Sequence, residues 1–70
     1  MKTEDEIMYK LVLELAWLSL WESDVNTSDR IIEDARERVS ILRWVLGMDE
    51  TDYYEGIDQN LIIAILRDLQ

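Results

Sequence analysis

Apolar residues recur three and four apart along this chain, the spacing of one face of a helix, in three separate blocks. The first block predicts a helix over about residues 4–22, opened by Thr3 and Glu6 in the arrangement of a capping box. Met8, Leu11, Leu15 and Leu18 form its main contact line; Tyr9, Leu13, Ala16 and Leu20 form a second. Turn and cap formers then cluster in Ser23-Asp-Val-Asn-Thr-Ser28. The second helix, about 28–46, carries the seam Ile32, Ala35, Val39, Leu42 and Leu46 and stops at Gly47, a natural left-handed terminator. Arg30–Asp34 and Asp34–Arg38 are spaced for ion pairs along it. Residues 48–56 read as a loop, with a helical turn started at Thr51 as one option. The third helix, about 58–69, starts at Asp58, with Ile57 and Ile62 placed as a hydrophobic staple. It gathers Leu61, Ile62, Ile65, Leu66 and Leu69 and leaves Ile63 on the far side. No alternating strand pattern occurs.

Short connections favour antiparallel neighbours, so the expected fold is all-α: a small antiparallel three-helix bundle forming one domain over residues 1–70. The alternative is a long hairpin whose third helix is exchanged onto a second chain in a dimer. Chains of this length usually need disulfides, a metal, oligomerisation or unusually good packing. There is no cysteine and no histidine. Packing or self-association remains.

The same wheel raises a question about the aromatic residues. At about 100° per residue, Lys10 and Glu14 mark a polar stripe on the first helix, and its continuation reaches Trp17 and Trp21. Trp44 falls opposite the second helix's seam, in line with Glu33, Glu37 and Ser40. All three tryptophans are therefore expected off the core, as contact residues for another protein or another copy. The plainer account is rings at the edge of a small core with their N–H in water.

Charge changes the picture further. Sixteen acidic residues against seven basic ones give a formal charge of -9. Such a field repels nucleic acid and anionic membranes and attracts basic protein surfaces. With 49% apolar residues, the chain is too hydrophobic for an acidic disordered tail. Its acidic N-terminus, Met1-Lys-Thr-Glu-Asp-Glu6, is unlike a signal peptide. The apolar run from Ile7 to Trp21 is too short, and too interrupted, to span a bilayer. A soluble protein of the cytoplasm is expected, the host's cytoplasm if a phage encodes it. In an up-down-up bundle, Glu4, Asp5 and Glu6 would share one pole with Asp49, Glu50, Asp52, Glu55 and Asp58, and with Tyr53 and Tyr54. Carboxylates there can imitate a phosphate row, and tyrosines can lie against arginine planes. The bland account is a solubilising cap.

Chemistry is sparse. Asp24-x-Asn26-x-Ser28 opens like a calcium loop, yet Asp29 stands where glycine is required and Ala35 where glutamate belongs. Glu33 and Glu37 lie one turn apart without the further carboxylates of a bundle metal site. No nucleophile–base pair is visible. An enzyme, a cofactor and a resident metal are not expected.

In general character the chain resembles the small acidic helical proteins that phages and mobile elements use against host defence, of the anti-restriction and anti-CRISPR kind. The segment Arg36–Glu50, "RERVSILRWVLGMDE", is similar to helix-then-acidic-end segments of small actinobacterial phage proteins. The resemblance implies a non-enzymatic inhibitor that docks on a basic, nucleic-acid-binding surface of a host defence or regulatory protein, without binding nucleic acid or membrane itself. The residues expected to make the contact are Trp17, Trp21, Trp44, Asp49, Glu50, Asp52, Tyr53, Tyr54 and Glu55. The competing expectation is a self-assembling helical homodimer with a structural or regulatory role.

Overall fold

The computed structural model describes residues 3–69. Met1 and Lys2, which begin the acidic N-terminal stretch, and Gln70 lie outside the described residues. The fold is a three-helix bundle of α1 (Glu4–Ser23), α2 (Asp29–Val45) and α3 (Gln59–Leu69), with no strand among the described residues. Local chemistry sets these limits. Thr3 Oγ1 accepts from the Glu6 N–H at 3.2 Å, and Ser28 Oγ accepts from the Ile31 N–H at 3.4 Å, so both helices start on hydroxyl caps. At the end of α2 the Met48 N–H reaches Arg43 O (2.8 Å) and the Gly47 N–H reaches Trp44 O (3.0 Å). Together these form a Schellman closure, which needs the positive φ of 73° that Gly47 adopts. Asp58 Oδ1 accepts from the Asn60 N–H at 2.9 Å and opens α3.

Helix α1 is the centre of the molecule. Both other helices pack on it, and among the described residues no Cα of α2 comes within 8 Å of one in α3. The core accordingly draws most heavily on α1: Leu11, Val12, Leu15, Ala16 and Leu18 are buried there, with Ala35 and Val39 from α2, Ile57 from the loop and Ile62 from α3. Arg38 lies against Glu14, while Glu4, Asp5 and Met8 share a hollow with Leu46, so α1 and α2 run antiparallel. No helix among the described residues is long and apolar enough to cross a membrane.

The seam expected on α2 is the one that packs. The main line expected on α1, Met8, Leu11, Leu15 and Leu18, packs as well, whereas the second line of α1 and the stripe of α3 differ from the expectation. Tyr9, placed on a second contact line of α1, is exposed, and Val12 is buried in its stead. Leu61 and Leu69 are exposed too, because α3 touches a single neighbour and needs only the narrow stripe of Ile62, Ile65 and Leu66. Neither expected pair on α2 forms within 4.0 Å; Arg38 turns to Glu14 of α1 instead of Asp34. The segment before α3 makes turns and no helix, so Thr51 starts none.

Candidate functional site

The loop between α2 and α3 is held by one buried cation. Arg43 lies inside the protein, 1% exposed. Its Nε donates to Asp49 O, and its Nη1 donates to Tyr53 O at 2.9 Å. Ser40 Oγ holds Glu50 O at 3.4 Å, and Asp49 Oδ1 accepts from both the N–H and the hydroxyl of Thr51, at 2.8 and 2.7 Å. Those Thr51 bonds hold the Asp49 carboxyl below its ordinary range. The loop thus lies along α2 rather than capping the tip of the bundle. Tyr54 donates its hydroxyl to Glu22 Oε1 (3.1 Å), and Arg36 grips Glu22 Oε2 (2.8 Å). Burial, then the Glu22 charge, pushes the Tyr54 hydroxyl up to about 12. Glu22 lies ~24 Å along α1 from Glu6, so the single acidic pole expected from topology does not form. Tyr53 and Tyr54 pack against the core and are not set out to stack on a partner.

The polar stripe on α1 also needs correction. Glu14 is buried, 8% exposed, because α2 packs over that side and supplies Arg38 (3.1 Å) while Lys10 folds down from one turn away (3.1 Å). Further along that line, Trp21 packs against the core. Trp17 is half-buried and stacks on Trp21, ring centroids 5.4 Å apart. Burial alone would raise the Glu14 carboxyl, but Lys10 and Arg38 outweigh it and hold it below its usual value. A depressed carboxyl stabilises the fold above the unfolded-state value of about 4.3, and that contribution is lost as pH falls through the lower folded-state value. Glu14→Gln should therefore be less stable than the parent by ~1 kcal/mol at neutral pH, since both cations are half exposed. Denaturant melts along a pH series should show the difference closing in acid. A gap unchanged down to about pH 2 would mean the ion pairs are not its cause.

Trp44 stands apart. It is 68% exposed, flanked by Ile41 and Val45, each more than half exposed, on the outer side of α2. The helix wheel puts it there: Ala35, Val39, Leu42 and Leu46 face α1, and Trp44 projects the other way. Ser40, Ile41, Trp44 and Glu50 line a shallow hollow of about 290 Å³. Asp49, Glu50, Asp52 and Glu55 are all exposed in the adjoining loop. Comparison with protein-family models, curated proteins and solved structures finds no match to this chain. The geometry alone speaks for the site.

Of the expected contact residues, the structure brings Trp44 and Glu50 into one surface beside the other loop acids, and sets Trp17 apart from them, stacked on Trp21, which packs on the core. Arg43 went unnoticed in the sequence, although its position one residue after Leu42 in the seam was the available signal. Among the described residues, no group of three or more acidic side chains is arranged to hold a metal ion.

Proposed function

We propose that this protein is a non-enzymatic binding module that docks the Trp44 face and the acidic loop onto a basic surface of another protein. The observation that carries this reading is Trp44 itself: a large ring 68% exposed, beside Ile41, Val45 and Glu50, on a helix whose other side is fully used. An aromatic ring set in a polar rim is the usual anatomy of a binding hot spot. The loop acids and the net charge of -9 steer it toward cationic surfaces. Surfaces that bind nucleic acid are cationic, and occupying one would make the protein an inhibitor, the role that the resemblance to small phage anti-restriction and anti-CRISPR proteins implies.

The test is retention of partner from native host lysate on the immobilised chain, at low and high salt and with duplex DNA as competitor. The retained partner should be displaced by salt and by DNA. Trp44→Ala should weaken its binding about thirtyfold, the effect of losing one anchoring ring. Reversing Asp49, Glu50 and Asp52 to lysine should abolish it. Binding indifferent to both changes would reject this surface as the site.

A further inference from the structure

We infer that the partner segment this protein takes is an amphipathic helix bearing lysine or arginine, laid in the open groove between α1 and α2. The inference rests on the docking face proposed above and extends it across α2. Three hollows run together there. The largest, about 650 Å³, lies between Tyr9, Lys10 and Leu42, with Asp5 and Glu6 toward the start of α1. A second, about 180 Å³, shares Lys10 and Leu42 with it and adds Ile41. Ile41 also walls the hollow beside Trp44, which ends at Glu50. On the α2 wheel Leu42, Val45, Ile41 and Trp44 follow one another round the surface, so one apolar strip joins the groove to the tryptophan. Tyr9, Ile41, Trp44 and Val45 are each more than half exposed, four of the nine large apolar side chains exposed among the described residues. Open apolar surface is gathered here.

The walls decide both the form and the charge of the occupant. They are helical, so no sheet edge stands ready to take the N–H and C=O groups of an extended peptide. Pressed onto an apolar floor, those groups would lack partners. A helix satisfies its own, and in such a groove it presents side chains at i, i+3 or i+4, and i+7. The three hollows carry four carboxylates and two cations, Lys10 and Arg38. Both cations are tied to one of those carboxylates, Glu14, at 3.1 Å. Asp5 at one end and Glu50 at the other are exposed and form no ion pair among the described residues. An apolar floor between exposed carboxylates is complementary to an apolar stripe flanked by cations. A second copy of this chain, with its formal charge of -9, is repelled by the same rim.

Fluorescein-labelled peptides of about 14 residues, ~21 Å long as helices, provide the test by fluorescence anisotropy. One carries leucines at helical spacing and lysines elsewhere, one has the same composition scrambled, and one has glutamate in place of lysine. The striped lysine peptide should bind saturably, gain helical circular dichroism on binding and weaken as salt is added. The scrambled and glutamate peptides should bind about tenfold more weakly or worse. Tyr9→Ala and Ile41→Ala should each weaken the striped peptide by about tenfold. Both side chains are exposed, so the fold should survive either change, which circular dichroism of the free variants checks. Binding lost with Trp44→Ala but indifferent to Tyr9→Ala would overturn the groove and leave the Trp44 face standing. Equal binding of the scrambled peptide would overturn the helix, and absence of binding by the striped one would overturn the inference whole. A dimer that Tyr9→Ala dissociates, seen by sedimentation equilibrium without peptide, would give the groove to a second copy instead.

Discussion

Arg43→Ala should lower the melting temperature by roughly 15 °C, more than any single loss on the surface. The guanidinium is buried and spans two loop carbonyls, those of Asp49 and Tyr53. Removing it strands both acceptors and opens a void where the stem lay, at a combined cost of about 3 kcal/mol. A domain this small loses about 4–8 °C per kcal/mol. Arg43→Met keeps the stem and discards only the hydrogen bonds, so it should fall between parent and alanine variant. Thermal melts of the three proteins settle the matter. If Arg43→Ala melts within about 3 °C of the parent, the loop is held by something other than this side chain.

Trp21→Ala and Trp44→Ala should separate as sharply. Trp21 packs on the core and supports Trp17, so its loss should cost roughly 3 kcal/mol. Trp44, 68% exposed, should change stability by less than about 0.5 kcal/mol, while its loss weakens partner binding. Trp17→Ala removes the stacking but leaves the core intact, a loss nearer 1 kcal/mol. Denaturant melts at one low concentration make the comparison, because assembly by itself raises apparent stability. Equal losses from Trp21→Ala and Trp44→Ala would contradict the placement of both rings.

The contrast between these rings shows what the sequence carries and what it does not. Thr3, Ser28, Gly47 and Asp58 act on backbone groups within three residues of themselves, so the helix ends could be read directly. The α2 seam was equally legible, because one neighbour covers it and one periodicity describes it. Helix α1 has neighbours on more than one side, and a polar residue on it no longer marks solvent. Glu14 is tolerated inside because Arg38, 24 positions later, and Lys10 offset its charge, and spacing along one helix cannot reveal a partner on another. The loop's course was hidden for the same reason. A buried cation beside the seam, Arg43, holds the loop along α2, and Tyr54 reaches Glu22, so the loop acids do not all gather at the Glu4–Glu6 end. What the sequence did indicate is that Trp44 opposes the seam, and the candidate site is built around that residue.

With α2 and α3 each resting on α1 alone, the bundle has the connectivity of a hinge plate with two leaves. Everything that couples α3 to α2 passes through the α1 backbone or through the loop. Drawing α3 away leaves the Arg38–Glu14 and Arg36–Glu22 pairs intact, and the separation stops where Arg43 holds Tyr53 and Tyr54 bonds Glu22. Contact order makes the same path the expected order of assembly. Residues up to Leu46 hold all the contacts of the α1–α2 hairpin, which are near in sequence and quick to close. Helix α3 then settles on a surface already formed, so the last 11-residue helix completes the fold without having to direct it.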